Sequence, residues 1–226
     1  MRNFGFTLSE VLITLAVIGV VSAMTLPIVI QEQRDRANVA KLQKTYSVLS
    51  QALLRAKDVS GDFHEWSSYT TNPKTIYSYI KPYLSVIKEC NDRTNSGCWA
   101  ETTSTLSGAT GRNYWQYYDG QIGDSAFIFV LKNGVAINID VVSYTNFSKV
   151  GLPEEFGANS FIVFDVDVNG IKGPNMWGKD VFGFAISPNN DKLVPFGSGN
   201  NSANCQKNKS GMDCTFKVLQ EKAINY

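Results

Sequence analysis

Met1-Arg2-Asn3-Phe4-Gly5-Phe6-Thr7-Leu8-Ser9-Glu10 leads into residues 11–30, and this opening stretch decides how the rest of the chain is read. Residues 11–30 are twenty consecutive positions without a charge. A helix of that length covers about 30 Å, the thickness of a bilayer's hydrocarbon core, and exceeds the ~7–15 residues of a signal-peptide apolar region. Glu10 stands at the lip of the run. A carboxylate near a membrane interior costs on the order of 3 kcal/mol on insertion scales, so Glu10 calls for a partner.

The 226 residues leave room for one folded head beyond the apolar span. A net charge of +1 supplies no global field toward nucleic acid or an acidic surface. Arg2 precedes the span and Arg34, Arg36, Lys41 and Lys44 follow it, so the positive-inside rule does not orient the chain. The cysteines do. Cys90, Cys98, Cys205 and Cys214 fall in two close pairs beyond the span, a usage that suits disulfides in an oxidising compartment and places the head outside the cytoplasm. Three connectivities are open to four cysteines, and the expected one, Cys90–Cys98 with Cys205–Cys214, closes the smallest loops. The Cys90–Cys98 spacing, with seven residues between, is not that of a zinc site.

Gly5-Phe6-Thr7-Leu8-Ser9-Glu10, followed by Val11-Leu12-Ile13, resembles the N-terminal motif of type IV prepilins and of type II secretion pseudopilins. A basic leader ending in Gly, then Phe, then a carboxylate five residues into the mature chain, then an apolar helix, is rarely met elsewhere. The resemblance implies that a prepilin peptidase cuts between Gly5 and Phe6 and methylates the new Phe6 amine. It also implies that Glu10 neutralises the N-terminal amine of a neighbouring subunit during assembly. Pro27 falls where pilin helices carry a bending proline. Ser9 departs from the motif, where a larger apolar residue is commoner. The implied partners are identical or related pilin subunits, the prepilin peptidase, the inner-membrane assembly machinery and the membrane itself. The implied location is the inner (cytoplasmic) membrane, single-pass, and then an extracellular or periplasmic filament. The close resemblance spans about the first thirty residues and leaves the head uncovered.

Beyond Pro27, the residues Val39, Leu42, Tyr46, Leu49, Leu53 and Ala56 recur at helical spacing, with Arg34, Arg36, Lys41, Lys44, Arg55 and Lys57 on the opposite face. Glu32, Asp35 and Asp58 interleave with those cations and no aromatic platform joins them, so they read as a solvated face and nucleic acid is not an expected partner. Asp58-Val59-Ser60-Gly61 is the expected helix stop. Residues 64–123 read as a loop-rich connector with one short helix over 75–84. His64 reads as a surface residue, and Trp99, Tyr114, Trp115, Tyr117 and Tyr118 as core or interface. Strands are expected over 125–131, 135–142, 160–168, 180–187 and 192–196, with Asn133-Gly134 as a hairpin turn. The expected fold is α+β, pilin-like: a long N-terminal helix, half of it transmembrane, packed on an antiparallel meander. The expected divisions are a leader at 1–5, a membrane or filament-core helix at 6–30, its continuation at 31–60, and a head at 61–226.

Asp165-Val166-Asp167-Val168-Asn169-Gly170 matches the first half of a calcium loop. Met176 stands where the closing carboxylate belongs, with Asp180 as a candidate substitute. No cofactor is required by this reading, and calcium on Asp165, Asp167 and Asn169 is the candidate ligand. The competing expectation makes Asp165 and Asp167 the outward positions of a strand. No Gly-x-Ser-x-Gly, His-Glu-x-x-His or phosphate loop occurs, and the single histidine has no catalytic partner in sequence, so no enzyme is expected. The expected function is a structural subunit of a type IV pilus or a type II secretion pseudopilus. The alternative is a minor pilin or adhesin whose head binds DNA, carbohydrate or a surface.

Overall fold

Residues 7–66, 72–90, 97–111, 126–142, 148–157, 160–186 and 191–226 are described by the structure, a computed structural model. The chain forms two compact units that divide between Ala37 and Asn38. Helix α1, Leu8–Ser60, contributes to both and carries Pro27 in its interior. Gly61 ends it in the left-handed conformation at φ 84°, its N–H returning to Lys57 O at 3.1 Å.

In the second unit, α1 presents Val39, Leu42, Leu49, Leu53 and Ala56 as a buried stripe. Tyr46 extends the stripe by stacking on Phe184, with ring centroids 5.5 Å apart. Behind the stripe lies a six-stranded sheet, built from β1 (Val86–Cys90), β4 (Phe127–Leu131), β5 (Ala136–Val142), β6 (Phe161–Asp167), β7 (Val181–Ile186) and β8 (Leu193–Pro195). These strands neighbour one another in that order, every pair antiparallel. Two short strands, β2 (Thr103–Ser104) and β3 (Thr110–Gly111), pair separately. The hairpin between β4 and β5 turns at Gly134, whose φ of 82° requires a residue without a side chain.

The sheet is buried on both faces, which the sequence reading did not foresee. Phe127, Phe129, Ile137, Ile139, Phe164, Val166, Phe182 and Phe184 share the first core with the α1 stripe. On the opposite face, Ile128, Ala136, Phe161, Val163 and Ala185 pack beneath Trp99, Val150, Leu152, Phe156, Trp177 and Phe196. Strand alternation puts Asn138, Asp140, Asp165 and Asp167 on this second face, and all four are buried. The expectation that Asp165 and Asp167 point outward is therefore corrected: they point away from α1, but into a second core covered by loops. Trp99 belongs to that core; Tyr114, Trp115, Tyr117, Tyr118 and the side chain of His64 lie outside the described residues.

The connector holds more structure than its composition suggested. Helices α2 (Phe63–Trp66) and α3 (Pro73–Ile80) close the near end of the first core, where Phe63, Trp66, Ile76, Tyr77 and Ile80 are buried. Asn72 caps α3 by accepting from Lys74 N at 2.9 Å, and Pro73 fills its first turn. The helix expected over 75–84 is α3 continued by a 3₁₀ turn, Lys81–Tyr83. Strand β1 was missed because it is an edge strand with three exposed central residues, so no alternation marks it. It is held by Glu89, which accepts from Tyr77 Oη at 2.8 Å and pairs with Lys81 at 2.6 Å. The Lys81 bond, followed by the Tyr77 bond, keeps the Glu89 carboxyl below the usual carboxylate range. Helix α4, Cys214–Glu221, was missed too: it is only eight residues long and buries few side chains.

Leu49 is 0% exposed at the centre of the stripe. Leu49→Ala is expected to cost about 2–5 kcal/mol in denaturant unfolding of the full chain in detergent micelles. A loss below about 1 kcal/mol would mean that the stripe does not carry the first core.

Candidate functional site

The first unit offers a surface rather than a cavity. From Leu8 to Ile30, the large apolar side chains of α1 are exposed to between 42% and 79% of their area. An isolated helix of this composition leaves water in contact with apolar surface on every side, so it needs lipid or protein around it. The helix is long and apolar enough to cross a membrane.

Its N-terminus explains how Glu10 is held. Thr7 precedes the first helical residue, and its backbone N–H and hydroxyl both donate to Glu10 Oε2 at 2.8 Å. In return, Glu10 N donates to Thr7 Oγ1 at 3.3 Å. This is a reciprocal capping box, the Thr-x-x-Glu arrangement that satisfies helix-end donors which would otherwise lack partners. Glu10 therefore has a partner within its own chain, which the reading of its misfit had not supplied. The signal was legible as Thr7-Leu8-Ser9-Glu10 before an apolar run. Gly5 and Phe6 lie outside the described residues. Pro27 sits within α1, where its ring removes one backbone donor; Ser22, Ala23, Leu26, Pro27, Ile30 and Arg34 line a shallow groove there.

In the second unit, polar side chains of α1 reach backbone carbonyls of the sheet loops. Asn38 Nδ2 donates to Lys179 O at 3.2 Å, Lys41 Nζ to Val168 O at 3.1 Å, and Tyr46 Oη to Leu193 O at 3.4 Å. Lys57 pairs with Asp191 and, at 2.8 Å, with Asp62; the Asp191 bond leads in raising the Lys57 pKa. These bonds set the rotation of the helix on the sheet, while the apolar stripe supplies the burial.

The β6–β7 loop brings together residues that the sequence placed in one motif and separates others. Asp165 Oδ2 accepts from Asn138 Nδ2 at 3.1 Å across the β5–β6 pair, inside the sheet. Asp167 accepts from Asn169 N at 3.1 Å. Asn169 Nδ2 turns to Asp180 Oδ2 at 3.1 Å, and Asp180 also accepts from Asn175 N at 2.9 Å and Met176 N at 2.6 Å. With its amide nitrogen turned toward them, Asn175 donates to Asp167 Oδ2 at 3.3 Å, Gly170 O at 3.2 Å and Lys172 O at 3.3 Å. Asp167 and Asp180 are both fully buried. Burial, followed by the charge of Asp180, pushes the Asp167 carboxyl well above the usual range, and burial raises Asp180 too. The convergent oxygens are thus Asp167, Asp180 and the Gly170 and Lys172 carbonyls, not Asp165 with Asn169. Backbone carbonyls carry no residue-type signal, so half of this set was invisible in the sequence.

Cys90 is bonded to Cys98 and Cys205 to Cys214. The first bridge lies under the second core, and the second anchors the start of α4. Set beside known proteins, residues 1–26 match the model of the prokaryotic N-terminal methylation motif. The chain carries the N-terminal signature of type IV prepilins and pseudopilins. No curated protein and no solved structure matches the chain. The prepilin signature covers the capping box, Glu10 and most of the apolar helix, and it ends one residue before Pro27. The head, with its doubly buried sheet, lies beyond it.

Thr7→Val removes the hydroxyl that gives and receives two of the three capping-box bonds. Loss of a helix cap costs about 0.5–2 kcal/mol, so amide exchange at residues 8–11 in micelles is expected to quicken about 2- to 30-fold. Unchanged exchange would show that the box does not hold the helix end.

Proposed function

We propose that this chain is the precursor of a structural subunit of a type IV pilus or a type II secretion pseudopilus. The observation that carries the reading is the coincidence of the methylation motif with a helix whose apolar surface has no cover within its own unit. Cleavage between Gly5 and Phe6 frees the Phe6 amine, four residues before Glu10, and methylation marks it. In the membrane, Glu10 is held by Thr7. In a filament, it pairs with the Phe6 amine of a neighbouring subunit, which turns two costly buried charges into one ion pair. The lipid cover of residues 8–30 is replaced by neighbouring helices, a change of apolar surroundings that costs little. The role is architectural, and the head supplies the outer surface.

Glu10→Ala is expected to leave a subunit that is processed and membrane-resident yet absent from sheared filaments. N-terminal sequencing of the membrane fraction should read Phe6 in both wild type and variant. Normal incorporation of the variant would overturn the assembly role, and a wild-type N-terminus other than Phe6 would overturn the cleavage site. Subunit stoichiometry in the same filaments separates a major subunit from a minor one or an adhesin.

Calcium is the ligand we assign to the β6–β7 loop. The fit rests on two fully buried carboxylates whose mutual repulsion a cation would relieve. Asp167 and the carbonyls of Gly170 and Lys172, beside Asp180, would hold it in place of the Asn175 amide nitrogen that donates to them, the amide turning its oxygen inward to complete an all-oxygen set of the kind calcium takes. Calcium is expected to raise the melting temperature of the full chain in micelles, and Asp180→Asn to abolish most of that rise. A melting temperature indifferent to chelator would remove the ion from this loop.

A further inference from the structure

The head is polarised in charge along its sheet. At the end where the chain enters it, α1 holds the β6–β7 loop twice: Asn38 donates to Lys179 O and Lys41 to Val168 O. The β4–β5 turn lies beside that loop, so close that a side chain on Gly170 would come within 3.0 Å of Gly134 O. The charged residues of these two segments, 132–135 and 168–180, are Lys132, Lys172, Lys179 and Asp180. Asp180 is fully buried, whereas Lys132 and Lys172 are exposed. The connections at the opposite end of the sheet, where Lys57 meets Asp191, carry Glu154, Glu155 and Asp191 against Lys149 and Lys192.

Helix α4 adds Lys217 to the entry end. Lys179 and Lys217 both stand over the Tyr226 ring, with Nζ 5.6 and 5.7 Å from its centroid, and Tyr226 Oη donates to Gly178 O. One ring thus gathers two ammonium groups at the β6–β7 loop. Ile171, 58% exposed, precedes Lys172 in the same loop. The length of chain brings these cations to a bilayer surface. Asn38 follows Ile30, the last residue of the uncharged run, by eight positions, which α1 covers in at most about 12 Å. Headgroups take up about 5–7 Å beyond the hydrocarbon core. What remains is shorter than the Debye length of about 8 Å, so the charge of the leaflet acts there before salt screens it.

We propose that this end of the head, through Lys132, Lys172, Lys179 and Lys217 with Ile171 among the headgroups, docks on anionic phospholipid of the membrane that α1 enters. Each lysine near an anionic surface adds attraction worth about fivefold in occupancy, and an apolar side chain beside such lysines settles at headgroup level. The docking rests on the membrane-resident precursor proposed above, whose head it holds against the leaflet, and it is given up on entry into a filament.

The test uses the full chain in vesicles of phosphatidylcholine alone or mixed equally with phosphatidylglycerol, with chelator present so that calcium cannot bridge the surfaces. A membrane-impermeant amine-acylating reagent labels outward-facing heads, and mass spectrometry reads each lysine against Lys192 at the opposite end. Labelling of Lys132, Lys172 and Lys217 is expected to fall about fivefold or more in the anionic vesicles and to recover in high salt. Lys132→Glu with Lys172→Glu should restore labelling of the unaltered Lys217 while leaving the melting temperature in micelles unchanged, since both side chains are exposed. If that variant fails to fold, the salt reversal in the wild type decides. Equal labelling in both kinds of vesicle, by a chain that resists alkaline extraction, would overturn the docking. A chain that alkali extracts would overturn the membrane reading and the docking with it. Protection that rises with the number of chains per vesicle would assign the surface to a neighbouring subunit and overturn the lipid.

Discussion

The head depends on the fit between one helical stripe and one sheet face. Val39, Leu42, Leu49, Leu53 and Ala56 come around every three or four residues, and the first face of the sheet answers with Phe129, Phe164, Phe182 and Phe184, none of them exposed. Large aromatic rings on the sheet and mid-sized aliphatic groups on the helix interdigitate, and Thr45 is the polar exception on the buried side of α1, its hydroxyl without a hydrogen-bond partner among the described residues. The hydrogen bonds from Asn38, Lys41 and Tyr46 to loop carbonyls lie at the margins of this contact. They add direction to an interaction whose strength is apolar. The same helix therefore serves two kinds of surroundings: a stripe for the sheet, and an all-round apolar surface for lipid or for other helices.

The second face of the sheet follows a different rule. It carries Asn138, Asp140, Asp165 and Asp167, and covering such residues is tolerable only where each finds hydrogen bonds or a counter-charge. The cover is made from loops: the turn through Val150 and Leu152, Trp177 from the β6–β7 loop, and Phe196 and Met212 from the C-terminal loop. Trp177 stacks on Phe196, and Phe196 lies over Gly183, where any side chain would displace it. The polar groups of both loops are thus tied to a core, and the disulfides fasten Cys98 to the end of β1 and Cys205 to the start of α4. Loops that are pinned in this way can hold buried carboxylates in fixed positions.

At the other end of α1, the capping box changes what Glu10 means. A carboxylate bonded to Thr7 closes the helix end in the lone subunit. Both bonds go to Oε2, so the lone subunit holds this carboxylate at the helix end through one of its two oxygens.

Read alone, the sequence determined the membrane-length helix, the prepilin motif, the stripe, and the strands from residue 127 onward, because each writes a period or a turn residue into consecutive positions. Strand β1 and helix α4 escaped it, since an exposed edge and an eight-residue helix leave no such pattern. It also suggested a solvated outer face for the sheet, because Asp165 and Asp167 alternate with apolar residues, and there the structure overturns it by burying both. Only the tertiary structure decided that loops from residues 148–157, 176–180 and 196–213 cover that face, and that Asp167 meets Asp180 while Asp165 turns to Asn138. The physical reason is range: a repeat along the chain reports which side of an element a residue occupies, but what lies opposite that side is set by contacts between residues far apart in sequence, and by carbonyl groups that every residue shares.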